Sequence, residues 1–331
     1  MKKTIFFTLC LSALITFSAS AKIWRVNNNP GITADFTTLQ AAHDAAMIND
    51  TLHIEPSIIL YDSLIATKRL VILGNGYFLN ENLNNQANLY TSHVQYIYPY
   101  PGSEGTVIEG LQIDGIYIQD TSNITINRNL LGGVQFSQIN TGPMLNTNLT
   151  ITKNIITYGI NCELANVTNI FIANNYISAG DISLSQMSSG AIANNVITGY
   201  LRTSNCIIQN NIISGYAGEM IGTIYVNNTM THNFSAQLDG LPAGNGNQNG
   251  VSWESIFVDP ALNTTDGKWQ LKPGSPAIGA GIGGVDCGMF GGSNPYKLSG
   301  LPTIPSIYSL SAPANSNGNT LLVNISVKSN N

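Results

Sequence analysis

The acidic side chains of this chain are densest in the segment IEGLQIDGIYIQD, which holds Glu109, Asp114 and Asp120. Two carboxyl groups that stand roughly 5 to 10 Å apart can hydrolyse a glycosidic bond. On a straight strand, however, Glu109 and Asp114 have opposite parity and point to opposite faces unless a turn intervenes. Solvated strand edges therefore explain this segment better than a hydrolase pair does.

Polysaccharide lyase chemistry would use a basic side chain beside acids that neutralise the carboxylate of the substrate. The central part of the chain offers Arg128, Lys153 and Arg202 as bases. Its acids are Glu163 and Asp181, which follow the nearest repeated asparagine by nine and six residues and are therefore out of register. Such a sparse set lacks the preorganised charges that catalysis requires. The sequence therefore assigns no catalytic residue.

Metal and cofactor sites are not indicated either. Calcium takes about six to eight oxygen ligands, usually with several carboxylates among them, and the central acids are too few to supply these. The 4 histidines are too scattered for the spacing of a zinc site. We expect no metal and no cofactor.

Tyrosines give a better indication of a binding site. Tyr200 and Tyr216 each follow a repeated asparagine by five residues, and Tyr158 falls one place short of that register. Tyr96 and Tyr98 alternate in YIYPYP, so they lie on one side of an extended segment. Rings with apolar faces and polar tips suit carbohydrate. These five tyrosines are the candidate ligand-binding residues, and the alternative is that they pack loops against the body of the protein.

The overall charge balance bounds the partners. Only 9% of the 331 residues are charged, the formal net charge is −5, and there is no basic run. This argues against nucleic acid as a partner. No apolar run after the first residues is long enough to span a membrane. We expect a monomer without a transmembrane segment.

The first 21 residues, MKKTIFFTLCLSALITFSASA, have the features of a signal peptide. A basic start, an apolar run and the cleavage site Ala19-Ser20-Ala21 predict export and a mature chain that begins near Lys22. Cys10 would be removed with this peptide. The cysteines that remain are odd in number and far apart, which argues against a disulfide framework. Buried free thiols are expected at Cys162, Cys206 and Cys287.

One pattern repeats through the middle of the chain. The segments INRNLL, ITKNII, IANNYI, IANNVI, IQNNII and YVNNTM align on Asn129, Asn154, Asn175, Asn195, Asn211 and Asn228. Their spacings are 25, 21, 20, 16 and 17, and VIEGLQI fits one unit earlier with Gly110 in the asparagine position. A period near 20 with variable length predicts a solenoid of short strands whose loops absorb the variation.

The aligned columns predict the interior and the surface of each turn. Aliphatic residues recur three places before and two places after each asparagine, as continuous inner columns. The asparagine itself tolerates a left-handed turn, and its amide can hydrogen-bond along the stack, so we expect a structural ladder. The polar residues immediately before it are expected outside, where Glu109 and Arg128 would form an exposed pair worth at most about 1 kcal/mol.

These features resemble the right-handed parallel β-helix of the broad pectate-lyase-like superfamily, in which asparagine ladders and inner aliphatic stacks are common. The resemblance spans roughly Asp35 to Gly292. Leucine-rich repeats are the rival fold, but the irregular unit length, the few leucines and the lack of a helical half-repeat disfavour them. We therefore predict an all-β fold, a right-handed parallel β-helix solenoid with a short N-terminal capping helix.

Both ends fit a capped solenoid. Thr37 and Gln40 predict a capping box for a helix in DFTTLQAAHDAA, with Leu39, Ala42 and Ala46 on one face. The segment GKWQLKPGSPAIGAGIGGVDCGMFGG resembles the closing segment of exported bacterial β-helix proteins, with Gly279 where that pattern usually has Asp. The predicted organisation is a signal peptide at 1–21, the β-helix at 22–300, and a proline-punctuated tail with one further strand at 301–331.

The resemblance brings no active site with it. The arginine segment of pectate lyases and the acidic and histidine strings of polygalacturonases and pectin methylesterases are absent from this sequence. We expect an exported structural or carbohydrate-contacting module of the cell envelope or extracellular space, with a polysaccharide or cell-surface glycan as partner. The alternative is a polysaccharide lyase or glycoside hydrolase with an atypical site. Converging acids or a Lys/Arg pair in a groove would favour the enzyme, and aligned exposed tyrosines would favour binding.

Overall fold

The computed structural model describes residues 21–137, 145–162, 165–214, 227–315 and 318–330. The strands of these residues form a parallel β-solenoid of about 8 turns, which confirms the predicted all-β fold class. The predicted signal peptide lies almost wholly outside the described residues, as do Glu163 and Tyr216.

One face of the solenoid is a parallel sheet, called sheet A, with 10 strands among the described residues. Its strands are β1 (Ile23–Val26), β2 (Thr51–Ile54), β4 (Val71–Leu73), β6 (Val107–Glu109), β8 (Thr125–Asn127), β12 (Thr150–Thr152), β16 (Ile170–Ala173), β19 (Gly190–Ala193), β22 (Cys206–Gln209) and β24 (Thr229–Thr231).

The other faces belong to sheet B, which has 13 strands in the described part of the chain. They are β3 (Leu64–Ala66), β5 (His93–Pro99), β7 (Gln112–Gln119), β9 (Leu130–Leu131), β10 (Val134–Ser137), β13 (Ile155–Ile156), β14 (Ile160–Cys162), β17 (Tyr176–Ile177), β18 (Ile182–Leu184), β20 (Val196–Ile197), β21 (Leu201–Arg202), β23 (Ile212–Ile213) and β25 (Phe234–Ser235).

Strand β7 divides sheet B into two limbs. Its start pairs with β9, which begins the first limb (β9, β13, β17, β20, β23 and β25). Its end pairs with β10, which begins the second limb (β10, β14, β18 and β21). Each later turn of the solenoid therefore contributes one strand to sheet A and one to each limb, until the limbs end.

The remaining elements are short. Strands β11 (Leu145–Thr147) and β15 (Asn166–Thr168) form a small parallel sheet. The tail, in which the sequence predicted one strand, contains an antiparallel hairpin of β26 (Ser306–Ser311) and β27 (Asn324–Lys328). The helices are α1 (Leu39–Ala45) and α2 (Trp253–Ile256), with 3₁₀ turns at Pro260–Leu262, Gly267–Trp269, Ile282–Gly284 and Leu298–Gly300.

Helix α1 occupies the predicted N-terminal position, with a different cap. Thr38 is the N-cap residue, and its side chain accepts a hydrogen bond from the amide of Ala41. The predicted capping box of Thr37 and Gln40 is therefore wrong, since Gln40 instead binds the backbone of Ile65. The predicted apolar face is buried, as expected of a helix that closes the end of the core.

The predicted inner columns are confirmed. Pairing between neighbouring strands of sheet A keeps one isoleucine above the next, in the order Ile126, Ile151, Ile172, Ile192 and Ile208. The first limb of sheet B does the same with Leu131, Ile156, Ile177, Ile197 and Ile213. All ten side chains are buried. The cysteines Cys162, Cys206 and Cys287 are buried free thiols, as expected.

The asparagines between these columns form a hydrogen-bonded ladder. In Asn195, for example, the side-chain amide donates to the side-chain oxygen of Asn211 at 3.0 Å and to the carbonyl of Ile172 at 2.9 Å. Its own side-chain oxygen accepts from the backbone amide of Asn175 at 3.0 Å. The same contacts link Asn129, Asn154, Asn175, Asn195 and Asn211 in turn.

The ladder then continues through Asn233 and Asn247, so the assignment of Asn228 to it is wrong. Asn228 precedes strand β24, whereas a ladder residue must follow a strand of sheet A. Its side chain accepts from the amide of Cys206 instead. The spacing from Asn211 to Asn233 is the one that completes a turn of the solenoid.

The left-handed residue of each turn is not the ladder asparagine but the residue before it. Arg128, Lys153, Asn174 and Asn194 have φ between 56° and 57°. Gly110 also takes this place, with φ of 74°, rather than the ladder position. Backbone in this conformation favours glycine and asparagine, which explains the Asn-Asn pairs of the sequence.

The column of left-handed residues is covered, not exposed as the sequence predicted. The C-terminal segment 282–303 runs back along it in the opposite direction to the solenoid. Asn210 accepts from the amide of Ile282, Asn194 donates to the carbonyl of Asp286, and Arg128 donates to the carbonyl of Leu301 at 2.8 Å. These side chains therefore fasten the returning segment turn by turn.

Glu109 and Arg128 also form a buried pair, contrary to the expected exposed one. Their N···O distance is 3.6 Å and both side chains are at most 5% exposed. Glu109 accepts from the amide and hydroxyl of Thr303, and Arg128 donates to the carbonyl of Asn330. A buried charge left without its partner is costly, so this pair fixes where the tail can lie.

No helix in the described part of the chain is long and apolar enough to cross a membrane.

Replacing Asn195 with Ala should lower the free energy of unfolding by roughly 1 to 3 kcal/mol, because removal of this side chain leaves buried backbone groups without their hydrogen-bond partners. Chemical denaturation measures the change, with the exposed Asn315→Ala as the control. Equal stability of the two variants would contradict the ladder's structural role.

Lys153 should make stability depend on pH. Burial, helped by repulsion from Arg128, lowers the pKa of Lys153 to about 8. Between about pH 8 and the ordinary lysine value near 10.4, the unfolded chain binds more protons than the folded one, so stability should rise with pH. Lys153→Met should remove this rise and raise the melting temperature at pH 7. The melting temperature of Lys153→Met is measured across this pH range, with Lys68→Met as the control. A rise with pH as large as that of the wild type would contradict the role of Lys153.

Candidate functional site

Three tyrosine rings cluster on the outer surface of β5 and β7. Tyr98 stacks on Tyr117 with ring centres 5.5 Å apart and planes at 20°. Tyr96 lies 6.1 Å from Tyr98 and 5.6 Å from Tyr117. Ile97 pairs with Ile116 across the two strands, so the residues that follow them, Tyr98 and Tyr117, come side by side. All three rings are partly exposed.

A row of glycines adjoins this cluster. Val134 pairs with Ile116 on one side and with Ile160 on the other, so the residues before them form a row. That row is Gly115, Gly133 and Gly159, and Gly115 pairs with Tyr96. The row carries no side chains of its own, and Gly133 is its partly exposed member.

Two of these glycines are required by the local geometry. Gly159 has φ of 87°, a conformation that residues with side chains rarely adopt. A Cβ on Gly115 would lie 3.2 Å from the ring of Tyr117. At Gly133 a Cβ would meet the carbonyl oxygen of Gly159 at 3.4 Å and the Cβ of Tyr158 at 3.7 Å, which are ordinary contacts.

Tyr158 stands in the turn between the two limbs, and 75% of it is exposed. It lines two adjoining cavities, of about 240 and about 430 Å³. Tyr117, Gln135 and Asn161 line the smaller cavity, and Tyr96 lines the larger. The tyrosine cluster, the glycine row, the two cavities and Tyr158 together are called the tyrosine groove.

An acid and a histidine stand at the tyrosine groove. Asp114 lines both cavities, and its Oδ1 lies 2.8 Å from Nε2 of His93. The two side chains are 42% and 31% exposed, respectively. The sequence analysis weighed Asp114 and Glu109 as a hydrolase pair, but Glu109 lies buried beneath the tail. The expectation that these two carboxylates do not form a pair agrees with this geometry.

The structure brings three of the five candidate tyrosines to the groove. These are Tyr96, Tyr98 and Tyr158. Tyr200 lines neither cavity and lies on the turn before β21, two strands beyond Gly159 in the same row, with the guanidinium of Arg202 5.5 Å from its ring centre. Tyr216 is outside the described residues.

The sequence did not single out Tyr117, although the alternation in QIDGIYIQ already placed it on the outer face of its strand. In the sequence this segment stands out for its acids. The strand that pairs with it lies about twenty residues earlier, so local spacing does not show that Tyr117 meets Tyr98. The signal that would have found it is the shared parity of Tyr96, Tyr98 and Tyr117 on neighbouring strands.

The basic residues weighed for lyase chemistry do not reach the groove. Arg128 and Lys153 are buried in the column that holds the C-terminal segment. Arg202 pairs with Asp181 at 3.2 Å, so the expectation that the central charges are scattered is wrong for these two. Asp181 also accepts from the amide of Tyr200 at 2.8 Å, so it stabilises the turn before β21. Among the described residues, no three side chains of metal-binding type cluster.

A further cavity, of about 520 Å³, opens in the segment 253–272 and is lined by Trp253 and Trp269. Its rings are engaged in packing, since Trp269 stacks on Tyr176 of β17 at 4.1 Å and meets Trp253 edge-on at 5.3 Å. These contacts help to hold the segment on the first limb of sheet B. The cavity serves below as a control site for ligand binding.

Comparison of the chain with protein-family models gave no match, and comparison with curated proteins gave none either. The function therefore has to be argued from the geometry of the groove.

Proposed function

We propose that this protein is a glycan-contacting module whose binding site is the tyrosine groove. The observation that carries the proposal is the convergence of Tyr96, Tyr98, Tyr117 and the exposed Tyr158 around a floor without side chains. Single exposed aromatic residues are common on protein surfaces and need no explanation. Here Tyr96, Tyr117 and Tyr158 line two adjoining cavities and Tyr98 stacks on Tyr117, which is the usual form of a surface that receives a flat, partly apolar ligand.

The chemistry of the groove suits sugars. The faces of tyrosine rings accept the C–H groups of a pyranose ring, and their hydroxyls can bond to the sugar hydroxyls. Gln135 and Asn161 are exposed on neighbouring strands and provide amides that both donate and accept. Parallel strands are ~4.8 Å apart, close to the length of one extended pyranose unit, so an extended glycan can follow the outer face from strand to strand.

Binding without cleavage is the better supported reading of this groove. Glycoside hydrolysis ordinarily needs two carboxyl groups at a set separation. Among the described residues that line the two cavities, Asp114 is the one carboxylate, and it is hydrogen-bonded to His93. Among the described residues, a hydrolase or lyase would have the His93–Asp114 pair to use at this groove. The proposal therefore predicts that bound oligosaccharides are released intact.

The proposal includes export and removal of residues 1–21. The backbone nitrogen of Lys22 lies 2.8 Å from Oδ1 of Asp50, which is buried and also accepts from the indole of Trp24. Cleavage before Lys22 would place the new α-ammonium group against this carboxylate, which supports the proposed site. Membership of the pectate-lyase-like superfamily and a place in the cell envelope or extracellular space belong to the same proposal.

N-terminal sequencing of protein collected after export should give Lys22 as the first residue. Asp50→Asn should lower the melting temperature of this mature form more than that of the uncleaved chain, because the paired ammonium group exists only after cleavage. A first residue well upstream of Lys22 would contradict the proposed processing.

Tyr158→Ala should weaken glycan binding about tenfold, since an aromatic contact contributes roughly 1 to 1.5 kcal/mol. A glycan array identifies the ligand, and calorimetry with soluble oligosaccharides gives the dissociation constant. Gly133→Ala should also weaken binding, because it adds a methyl group to the floor at a position where the fold accepts it. The matched control is Tyr90→Ala, which removes a tyrosine that is 60% exposed but lies outside the groove.

Two results would contradict the site. Binding that survives Tyr158→Ala and Gly133→Ala but is lost in Trp253→Ala would place the glycan in the cavity lined by Trp253 and Trp269. Failure of every glycan tested to bind the folded mature protein would remove the proposed function itself.

A further inference from the structure

The basic residues of this chain are distributed in a way that bears on the charge of the ligand. Between Arg69 and Lys268 the sequence contains Arg128, Lys153 and Arg202 and no other lysine or arginine. This stretch includes every residue that lines the two cavities of the tyrosine groove. It also includes the undescribed segments between its strands, none of which contains a lysine or arginine.

Each of these three cations is buried or paired, and none of them lines the two cavities. Arg128 is buried against Glu109 and the carbonyls of Leu301 and Asn330. Lys153 is buried in the same column of left-handed residues. Arg202 lies on β21, the fourth strand after β7 along the second limb of sheet B, where it pairs with Asp181 at 3.2 Å.

Among the described residues that line the two cavities, the one charged side chain is that of Asp114, whose Oδ1 lies 2.8 Å from Nε2 of His93. Asp114 lines both cavities, and its side chain is 42% exposed. The other residues that line the cavities are tyrosines, glycines, aliphatic residues, Thr157 and the neutral amides, and none of them is charged. Recognition of a carboxylate or sulfate normally relies on arginine or lysine, and an anion placed here would instead face a second anion at short range.

We infer that the tyrosine groove selects uncharged glycans, and that Asp114 is the residue that rejects acidic ones. The inference rests on the proposed function and narrows it. It excludes uronate polymers such as pectate and alginate, and sulfated glycans, as ligands of this site. Neutral sugar chains bind because their hydroxyl groups meet the amides and tyrosine hydroxyls without a charge penalty.

The test compares two oligosaccharides of the same length and linkage that differ only at C6, where one carries a hydroxymethyl group and the other a carboxylate. The wild-type protein should bind the neutral member at least about tenfold more tightly in dilute buffer. Added salt should narrow the difference, because exposed charges are screened. Asp114→Asn should reduce the ratio of the two affinities to within about threefold, whereas Asp239→Asn, an exposed acid outside the groove, should leave it unchanged.

The possible failures can be told apart. Binding of the acidic member as tight as that of the neutral one, or a ratio that Asp114→Asn does not alter, would overturn this inference and leave the glycan groove standing. Failure of both members to bind, across a panel of linkages, would overturn the proposed function and the inference with it.

Discussion

The amide–amide hydrogen bonds of the asparagine ladder are the constraint on which the rest of this structure depends. Each ladder side chain accepts from the previous turn through its oxygen and donates to the next turn through its nitrogen, as Asn195 does with Asn175 and Asn211, and the nitrogen also donates back to the carbonyl of Ile172. Because the ladder side chains from Asn129 to Asn233 are buried, a shift of one residue in any of these turns would leave several of them without partners. The ladder therefore fixes the register of all strands that follow it, including those of the second limb.

That register determines both covered and open surfaces of the solenoid. The residue before each ladder asparagine takes the left-handed conformation and holds the C-terminal segment, as Asn194 and Arg128 show. The segment before it, which contains Trp269, covers the first limb through the stacking of Trp269 on Tyr176. The outer face of the second limb near β7 and β10 stays open, and there the same register aligns the glycine row beside the tyrosines. The proposed site lies on this face, which the described part of the tail does not cover.

The repeat could be predicted because it depends on local spacing. The isoleucine columns and five ladder asparagines follow directly from segments that share one pattern. Asn228 was misassigned because it also stands in an Asn-Asn pair, and only the position of β24 shows that it comes before a strand rather than after one. The Asn-Asn pair itself could be read only in part, since sequence alone does not tell which member takes the left-handed turn.

Features that depend on distant parts of the chain could not be predicted. Arg128 and Glu109 look like surface residues until a segment some 170 residues later returns to cover them. The meeting of Tyr98 with Tyr117, and of Asp114 with His93, depends on which residues of β5 and β7 pair. The sequence pattern predicted tyrosines as the ligand-binding residues. It gave their grouping only in part, since Tyr200 lines neither cavity.

Hydrogen–deuterium exchange with and without a bound neutral oligosaccharide shows directly whether the tyrosine groove is the binding site. We expect amides at 113–117, 131–135 and 157–161 to gain protection, because these backbone segments form the floor and walls of the tyrosine groove. Amides at 253–272 should exchange as before. Protection confined to 253–272, or no change anywhere at a saturating concentration of ligand, would contradict it.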